Sequence, residues 1–97
     1  MLGVGKHIFG VGATTIPSGA DLNNYTTPGA YRCADSTISV TLLNNPTNSA
    51  FMLWCISPYV SGLATYGIQI LFNHLGIRVR YKTNASTWSE WKTVQLS

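Results

Sequence analysis

The chain has 97 residues, 45% of them apolar and only 9% charged, and carries a net charge of +3. That length holds one domain at most, and the apolar fraction excludes a disordered chain. The mild charge falls well short of a nucleic-acid footprint, and no run approaches the roughly 18 apolar residues of a membrane span, so neither a nucleic-acid partner nor membrane insertion is expected. The N-terminus also lacks the basic-then-apolar order of a signal peptide. A charged fraction so far below the usual quarter suits a module partly covered by copies of itself or by neighbouring domains.

In chain order, the first stretch is punctuated by glycine and repeats a small phrase, Leu2-Gly3-Val4-Gly5 and then Phe9-Gly10-Val11-Gly12. Glycine at that density weakens independent strands and helices. Residues 1–17 therefore read as a connector or a strand from an upstream element, and residues 18–97 as the domain proper. Asp21 is placed to cap a single helical turn through Tyr25, its carboxylate accepting a backbone N–H. Ala30 to Ala34 is a short strand entered from the Pro28-Gly29 turn. Ile38 to Leu43 alternates, which predicts a strand with Ile38, Val40 and Leu42 on one face. The cluster Asn44 to Ser49 is a turn, and Phe51 to Ile56 is an apolar run of strand length, expected to be buried on both faces and to form a hairpin with the preceding strand. A loop with Tyr59 and Tyr66 follows. Ile68 to Phe72 is another apolar strand, His74-Leu75-Gly76 a tight turn, and Ile77 to Thr83 a cleanly alternating strand. A last segment runs from Thr87 to Leu96. These elements predict a mainly β fold, a small antiparallel sheet or sandwich-like unit with at most one short helical turn.

The period of two in the Ile77 strand puts Ile77, Val79 and Tyr81 on one face, read as core, and Arg78, Arg80 and Lys82 on the other. The cationic face suits phosphate, sialate or uronate groups, because arginine forks match carboxylate and phosphate geometry; the plainer reading is a solvated face. Trp88 and Trp91 add a third. In an extended segment with about three residues per turn both indoles point the same way, and guanidinium planes can slot between them, each contact contributing about 0.5–2 kcal/mol. On that reading Arg78, and to a lesser extent Arg80, is consumed by the tryptophans, leaving Lys82 free. The order Trp88-Ser89-Glu90-Trp91 resembles the signature of type I cytokine receptors, although Lys92 stands where the final serine belongs and two cysteines do not supply those receptors' paired disulfides. What is shared is packing logic.

Cys33 and Cys55 match no zinc or redox spacing; they are read as buried thiols, small core residues, with pairing as the alternative. The sequons at Asn24 and Asn84 matter only in a secreted eukaryotic protein. Catalysis has little support: glycan cleavage needs two carboxylates facing one bond, only Asp21, Asp35 and Glu90 exist, and no motif frames a nucleophile. His7 and His74 are far apart in sequence, and no clustered metal ligands occur. No catalytic residue, metal or cofactor is expected.

A second resemblance covers about Ser18 to Val94. Gly19-Ala20-Asp21-Leu22-Asn23, then Thr27-Pro28-Gly29 with Tyr31, Gln69 with Phe72, the Ile77 strand, and Trp88-Ser89 with Trp91 are similar in order and spacing to the pyocin-knob domain of R-type pyocin and bacteriophage tail fibres. One departure is Arg32-Cys33 after Tyr31, where a second aromatic residue is common. The resemblance implies a homotrimeric fibre on a virion or phage-like particle, with knobs that help engage bacterial surface polysaccharide or lipopolysaccharide. The family pattern in Asp21, Asn23, Pro28 and Gly29 reads as architecture, and Tyr31, Arg78, Trp88 and Trp91 are counted with it as structural residues, the last three on the packing read from their spacing. The candidate glycan contacts are then Arg80 and Lys82 on the expected exposed face, with Tyr59 and Tyr66 from the long loop. A structural spacer within the fibre is the competing expectation, and a fibronectin-like receptor domain a third.

Overall fold

A computed structural model describes residues 13–57, 66–82, 84 and 87–95. The glycine phrases of residues 1–12, His7 and Tyr59 lie outside the described residues. Six strands form one sheet in sequence order: β1 (Thr14–Thr15), β2 (Gly29–Cys33), β3 (Phe51–Ile56), β4 (Gly67–Asn73), β5 (Gly76–Lys82) and β6 (Lys92–Thr93). The β1–β2 pair is parallel and the other four pairs are antiparallel. The sheet is mainly antiparallel, as the alternation of the sequence requires, and among the described residues two single helical turns interrupt it, Leu22–Asn24 and Ser36–Ser39.

Strand β3 is central because its residues are apolar throughout, so it can lose solvent along its length at little polar cost. Its two faces are nevertheless unequal. Phe51, Leu53 and Cys55 are buried, whereas Met52 and Trp54 are half-buried and Ile56 is exposed. The buried face meets Cys33 of β2 and Leu71 of β4 in the main core, together with Ile16, Leu22 and Leu42 from the covering segments. Tight turns hold the register. In the β4–β5 hairpin Asn73 pairs with Gly76 across His74-Leu75. Asn73 Oδ1 accepts from the Leu75 N–H (2.9 Å), and Gly76 takes φ 125°, a conformation side-chained residues resist.

The expected strand from Ile38 to Leu43 does not form. Asp35 Oδ1 accepts from the Ile38 N–H at 2.9 Å and caps a helical turn over Ser36–Ser39. The turn continues through Thr41 and Leu42, whose N–H groups donate to Ile38 and Ser39 carbonyls. Leu42 reaches the core, while Val40 is 64% exposed. Alternation over six residues loses here to local capping, a competition that Asp, Ser and Thr routinely win. Strand β3 therefore pairs with β2 and β4 and forms no hairpin with this segment.

The two cysteines are buried and unpaired. Cys33 sits opposite Phe51 and Cys55 opposite Gly29, so they lie four strand positions apart, about 13 Å at the usual rise, beyond disulfide reach. Burial pushes both thiols up, Cys55 to about 12. In the unfolded chain the Cys55 thiol ionises near 9, while the folded chain holds its proton, so stability falls as pH rises above about 9. A Cys55→Val variant is expected to reduce the loss that begins at about pH 9, leaving the part owed to Cys33, read by urea midpoints across pH 8 to 10; an unchanged pH profile would contradict this burial. Leu53→Ala, at the middle of the core, is expected to cost about 2–5 kcal/mol in the same measurement.

Candidate functional site

Strand β5 carries the cations, and the sheet turns them inward. Ile77, Val79 and Tyr81 pair in register with Phe72, Ile70 and Ile68 and share the outer, partly exposed face with Trp54 and Ile56. Arg78, Arg80 and Lys82 share the inner face with Leu71 and Gln69. The expectation that Ile77, Val79 and Tyr81 are core and the cations solvated is thus reversed for the outer part of this strand. Arg80 is 3% and Lys82 9% exposed, while Tyr81 is 45% exposed. The physical reason is the covering layer. Segments from Ile16 to Thr26 and from Thr87 to Trp91 close over the inner face and bring aromatic rings and carbonyls that a guanidinium can use.

Arg80 is the centre of that layer. Its Cζ lies 4.4 Å from the Trp88 ring centroid and 4.7 Å from that of Trp91, the slot that their three-residue spacing predicts. Its Nε donates to Gln69 Oε1 at 2.9 Å. Gln69, fully buried, in turn donates from Nε2 to the carbonyls of Leu22 (2.8 Å) and Tyr25 (2.9 Å). The Cys55 thiol donates to the same Tyr25 carbonyl. The indole N–H of Trp88 reaches the Asn23 carbonyl and that of Trp91 the Asn44 carbonyl. Ser89 between them is bound both ways to β5, its N–H donating to Tyr81 O and its hydroxyl accepting from Tyr81 N–H. Asp21 Oδ1 receives Asn23 N–H (2.9 Å) and Asn44 Nδ2 (2.7 Å), which joins the Leu22–Asn24 turn to Asn44, itself held at φ 59°.

The residues named from the sequence can now be placed, except Tyr59, which lies outside the described residues. Arg78 does not meet the tryptophans; its Nη1 donates to the Pro46 carbonyl (2.7 Å), and Arg80 takes the slot. Lys82 is not the free cation: its Nζ lies 5.4 Å from the Trp88 ring. Tyr66 is 49% exposed and is not among the residues that line the cavity beside Arg80. Gly29 takes φ 156° with the Tyr31 ring 3.7–3.8 Å from where its Cβ would stand, and Tyr31 donates to the Thr27 carbonyl across the exposed Pro28. What sequence reasoning missed is Gln69, the amide that couples the arginine to the helical turn. A single polar residue in the apolar run of β4 was its only signal.

Beside the arginine lies a cavity of about 300 Å³, lined by Asn23, Asn44, Arg80, Trp88, Glu90 and Trp91 among others. Two buried polar atoms of these lining residues, Arg80 Nη2 and Asn23 Oδ1, have no hydrogen-bond partner. Burial pushes the Arg80 guanidinium down to about 10, against an opposing effect of Asp21. The sign follows directly. The unfolded arginine holds its proton to higher pH than the folded one, so above about pH 10 the unfolded state binds more protons, and this group alone makes stability rise with pH. Below pH 10 its charge is simply a burial cost that the rings and Gln69 offset.

Gln69→Leu is expected to be far more damaging than its volume suggests. It leaves Arg80 Nε without its partner and takes the Gln69 amide from the Leu22 carbonyl, which keeps only the Tyr25 N–H, costing roughly 3–5 kcal/mol as a broken buried charge network. Chemical denaturation of the variant checks this; a loss below about 1 kcal/mol would mean that the amide is not coupling the layers.

A scan of protein-family profiles finds no match for the chain, and a search of curated proteins finds none either. Solved structures do match. An N-truncated R2-type pyocin tail fibre superposes with a TM-score of 0.74 at 16% identity over 86% of this chain and 32% of that one. The C-terminal part of the R1 pyocin fibre of P. aeruginosa gives 0.73 at 19% identity, over 86% of this chain and 21% of that one. The corresponding part of the P. aeruginosa R2 fibre gives 0.72 at 18% identity, with 86% and 22% covered. The chain therefore spans about a third or less of the fibre chains it matches. At these identities the likeness speaks for the fold, and the fold of this chain is that of a domain in the R-type pyocin tail fibres.

Proposed function

We propose that the chain is a tail-fibre module of a phage or phage-like particle that contributes to host-cell surface recognition by binding bacterial surface polysaccharide or lipopolysaccharide. The observation that carries this reading is the fold shared with pyocin tail fibres over 86% of the chain. The sparse charge fits a module set among copies of itself in a homotrimeric fibre, with residues 1–17 entering from the upstream part and residues 18–97 forming the knob. Of the first group, Thr14–Thr15 pairs with β2 and Ile16 is buried in the core, which supports its role as an incoming strand. The work proposed is binding, with no chemical step: Asp21 and Asp35 are occupied as backbone caps.

The burial of Arg80 and Lys82 favours a second reading, a spacer that sets fibre geometry while another domain binds the host. Cations held inside a covering layer do not sweep the surface for anionic sugars, and Tyr66 is then the exposed member of the candidate contact set among the described residues.

Particle adsorption separates the two readings. A fibre lacking this module is expected to adsorb to host cells at least about tenfold less well, and the isolated chain to compete with intact particles. Unchanged adsorption, with the truncated fibre still assembled, would leave the spacer.

A further inference from the structure

We propose that the cavity between the Ser36–Ser39 turn, the turn of residues 44–49 and the β4–β5 hairpin binds an N-acylated sugar acid, a compact carboxylate that carries an apolar amide arm. This rests on the recognition reading above and names the substrate class and the groups that hold it.

Three turns build the site. Val40 follows the capped Ser36–Ser39 turn, Pro46 and Asn48 belong to the next turn, and Leu75 sits in the hairpin. With Leu42 and Arg78 they line a cavity of about 490 Å³, within the usual range for small-molecule sites, roughly 300–1,000 Å³. Side-chain hydrogen bonds pin its walls to one another. Asn45 Nδ2 donates to the Ser39 carbonyl (3.1 Å) and hydroxyl (2.9 Å), and Ser39 Oγ donates to the Thr47 carbonyl (3.2 Å). Asn73 Nδ2 ties the hairpin to the same wall through Thr47 Oγ1 (3.3 Å) and the Ala50 carbonyl (3.1 Å). The shape is therefore set before a ligand arrives, which lowers the cost of binding.

Arg78 supplies the charge and an open edge. Its Nη1 donates to the Pro46 carbonyl at 2.7 Å, which holds the guanidinium against a residue of the cavity wall. Nε and Nη2 make no hydrogen bond among the described residues, and neither is a buried atom, so both reach solvent from a half-buried side chain. In a planar guanidinium those two N–H groups run parallel, the edge that a carboxylate takes with two hydrogen bonds. No carboxylate of the described residues lines the cavity to occupy it. Asn48 is exposed, and its amide likewise makes no hydrogen bond among the described residues; it can both donate to and accept from a ligand amide. Val40 and Leu75, 64% and 56% exposed, are the apolar part of the wall, and a methyl group laid against them removes apolar surface from water.

These groups discriminate between ligands. A plain uronate fits the guanidinium edge and leaves Val40 and Leu75 in water. An N-acetylhexosamine covers them and leaves the arginine without a counter-charge. Phosphate matches the guanidinium and has no apolar arm. The N-acylated sugar acid meets both requirements.

The test uses the whole chain with N-acetylneuraminate as the probe. It follows the Nε–H resonance of Arg78, the side-chain amide of Asn48 and the methyl resonances of Val40 and Leu75. The probe is expected to shift all four residues saturably, and glucuronate, N-acetylglucosamine and inorganic phosphate each to bind at least about tenfold more weakly. Leu75→Ser retains the fold, because the bond to Asn73 comes from the Leu75 main chain and the side chain is exposed; affinity is expected to fall about fivefold. Arg78→Lys keeps the charge and loses the parallel edge, and affinity is expected to fall about tenfold or more. Resonances unmoved by N-acetylneuraminate, equal binding of any of the three other probes, or unchanged affinity in either variant would each overturn the site. These failures are distinct from failure of the recognition reading. If a fibre carrying both substitutions adsorbs normally while a fibre lacking the module does not, the site is wrong and recognition stands.

Discussion

A guanidinium removed from water must be stacked and hydrogen-bonded where it lies, and in this chain that requirement falls on Arg80. Two indole faces and one amide oxygen meet it. Each of those partners is itself tied to a different segment: Trp88 to Asn23, Trp91 to Asn44, and Gln69 to Leu22 and Tyr25. One buried charge thus links β4 and β5 to the helical turn, to the Asn44 turn and to the C-terminal segment. A loss at any of these points exposes the same desolvation cost. The arrangement shares its packing logic with the tryptophan-serine signature noted in the sequence, since Ser89 binds the backbone of β5 at Tyr81 while its neighbours hold the arginine.

That network also explains which face of the sheet is covered. Strands β3 and β4 are apolar on both sides, and hydrophobicity alone does not choose between them. The segments that cross the sheet carry the carbonyls and rings that Gln69 and Arg80 need, so they close on the side where those residues point. The opposite face keeps Trp54 packed edge-on against Phe72 at 5.4 Å, with Ile56, Ile68 and Tyr81 substantially exposed. Trp54 Nε1 is buried there without a partner among the described residues. The tidy alternation of β5 is accordingly real, but its sides are exchanged relative to the simple rule that apolar residues point inward.

Much of the fold was legible. The strands at Ala30, Phe51, Ile68 and Ile77 appear within a residue or two of their expected limits, because β-branched and aromatic runs bounded by Asn, Pro and Gly turns leave few alternatives. The Asp21 cap forms as its side chain predicts. Ile38 to Leu43 was misread because six alternating residues carry less information than one well-placed cap at Asp35. For the site, the pairing of tryptophans with an arginine was legible from their spacing, but the identity of the arginine was not. Arg78 and Arg80 are equivalent in sequence, and only the register of β5 against the Thr87–Trp91 segment puts Arg80 beneath both rings and sends Arg78 to Pro46.

The sequence by itself determined the class of the fold, the places where it turns, and the fact that an arginine would lie against Trp88 and Trp91. These are local matters, decided by propensity, capping and the period of the chain. Tertiary structure alone decided that the cations face inward, that Gln69 joins the layers, and that Asn23 and Arg80 line one cavity. Those outcomes depend on residues 57 positions apart in the chain meeting across a sheet, and no local rule carries the information about which of two apolar faces the crossing segments will close.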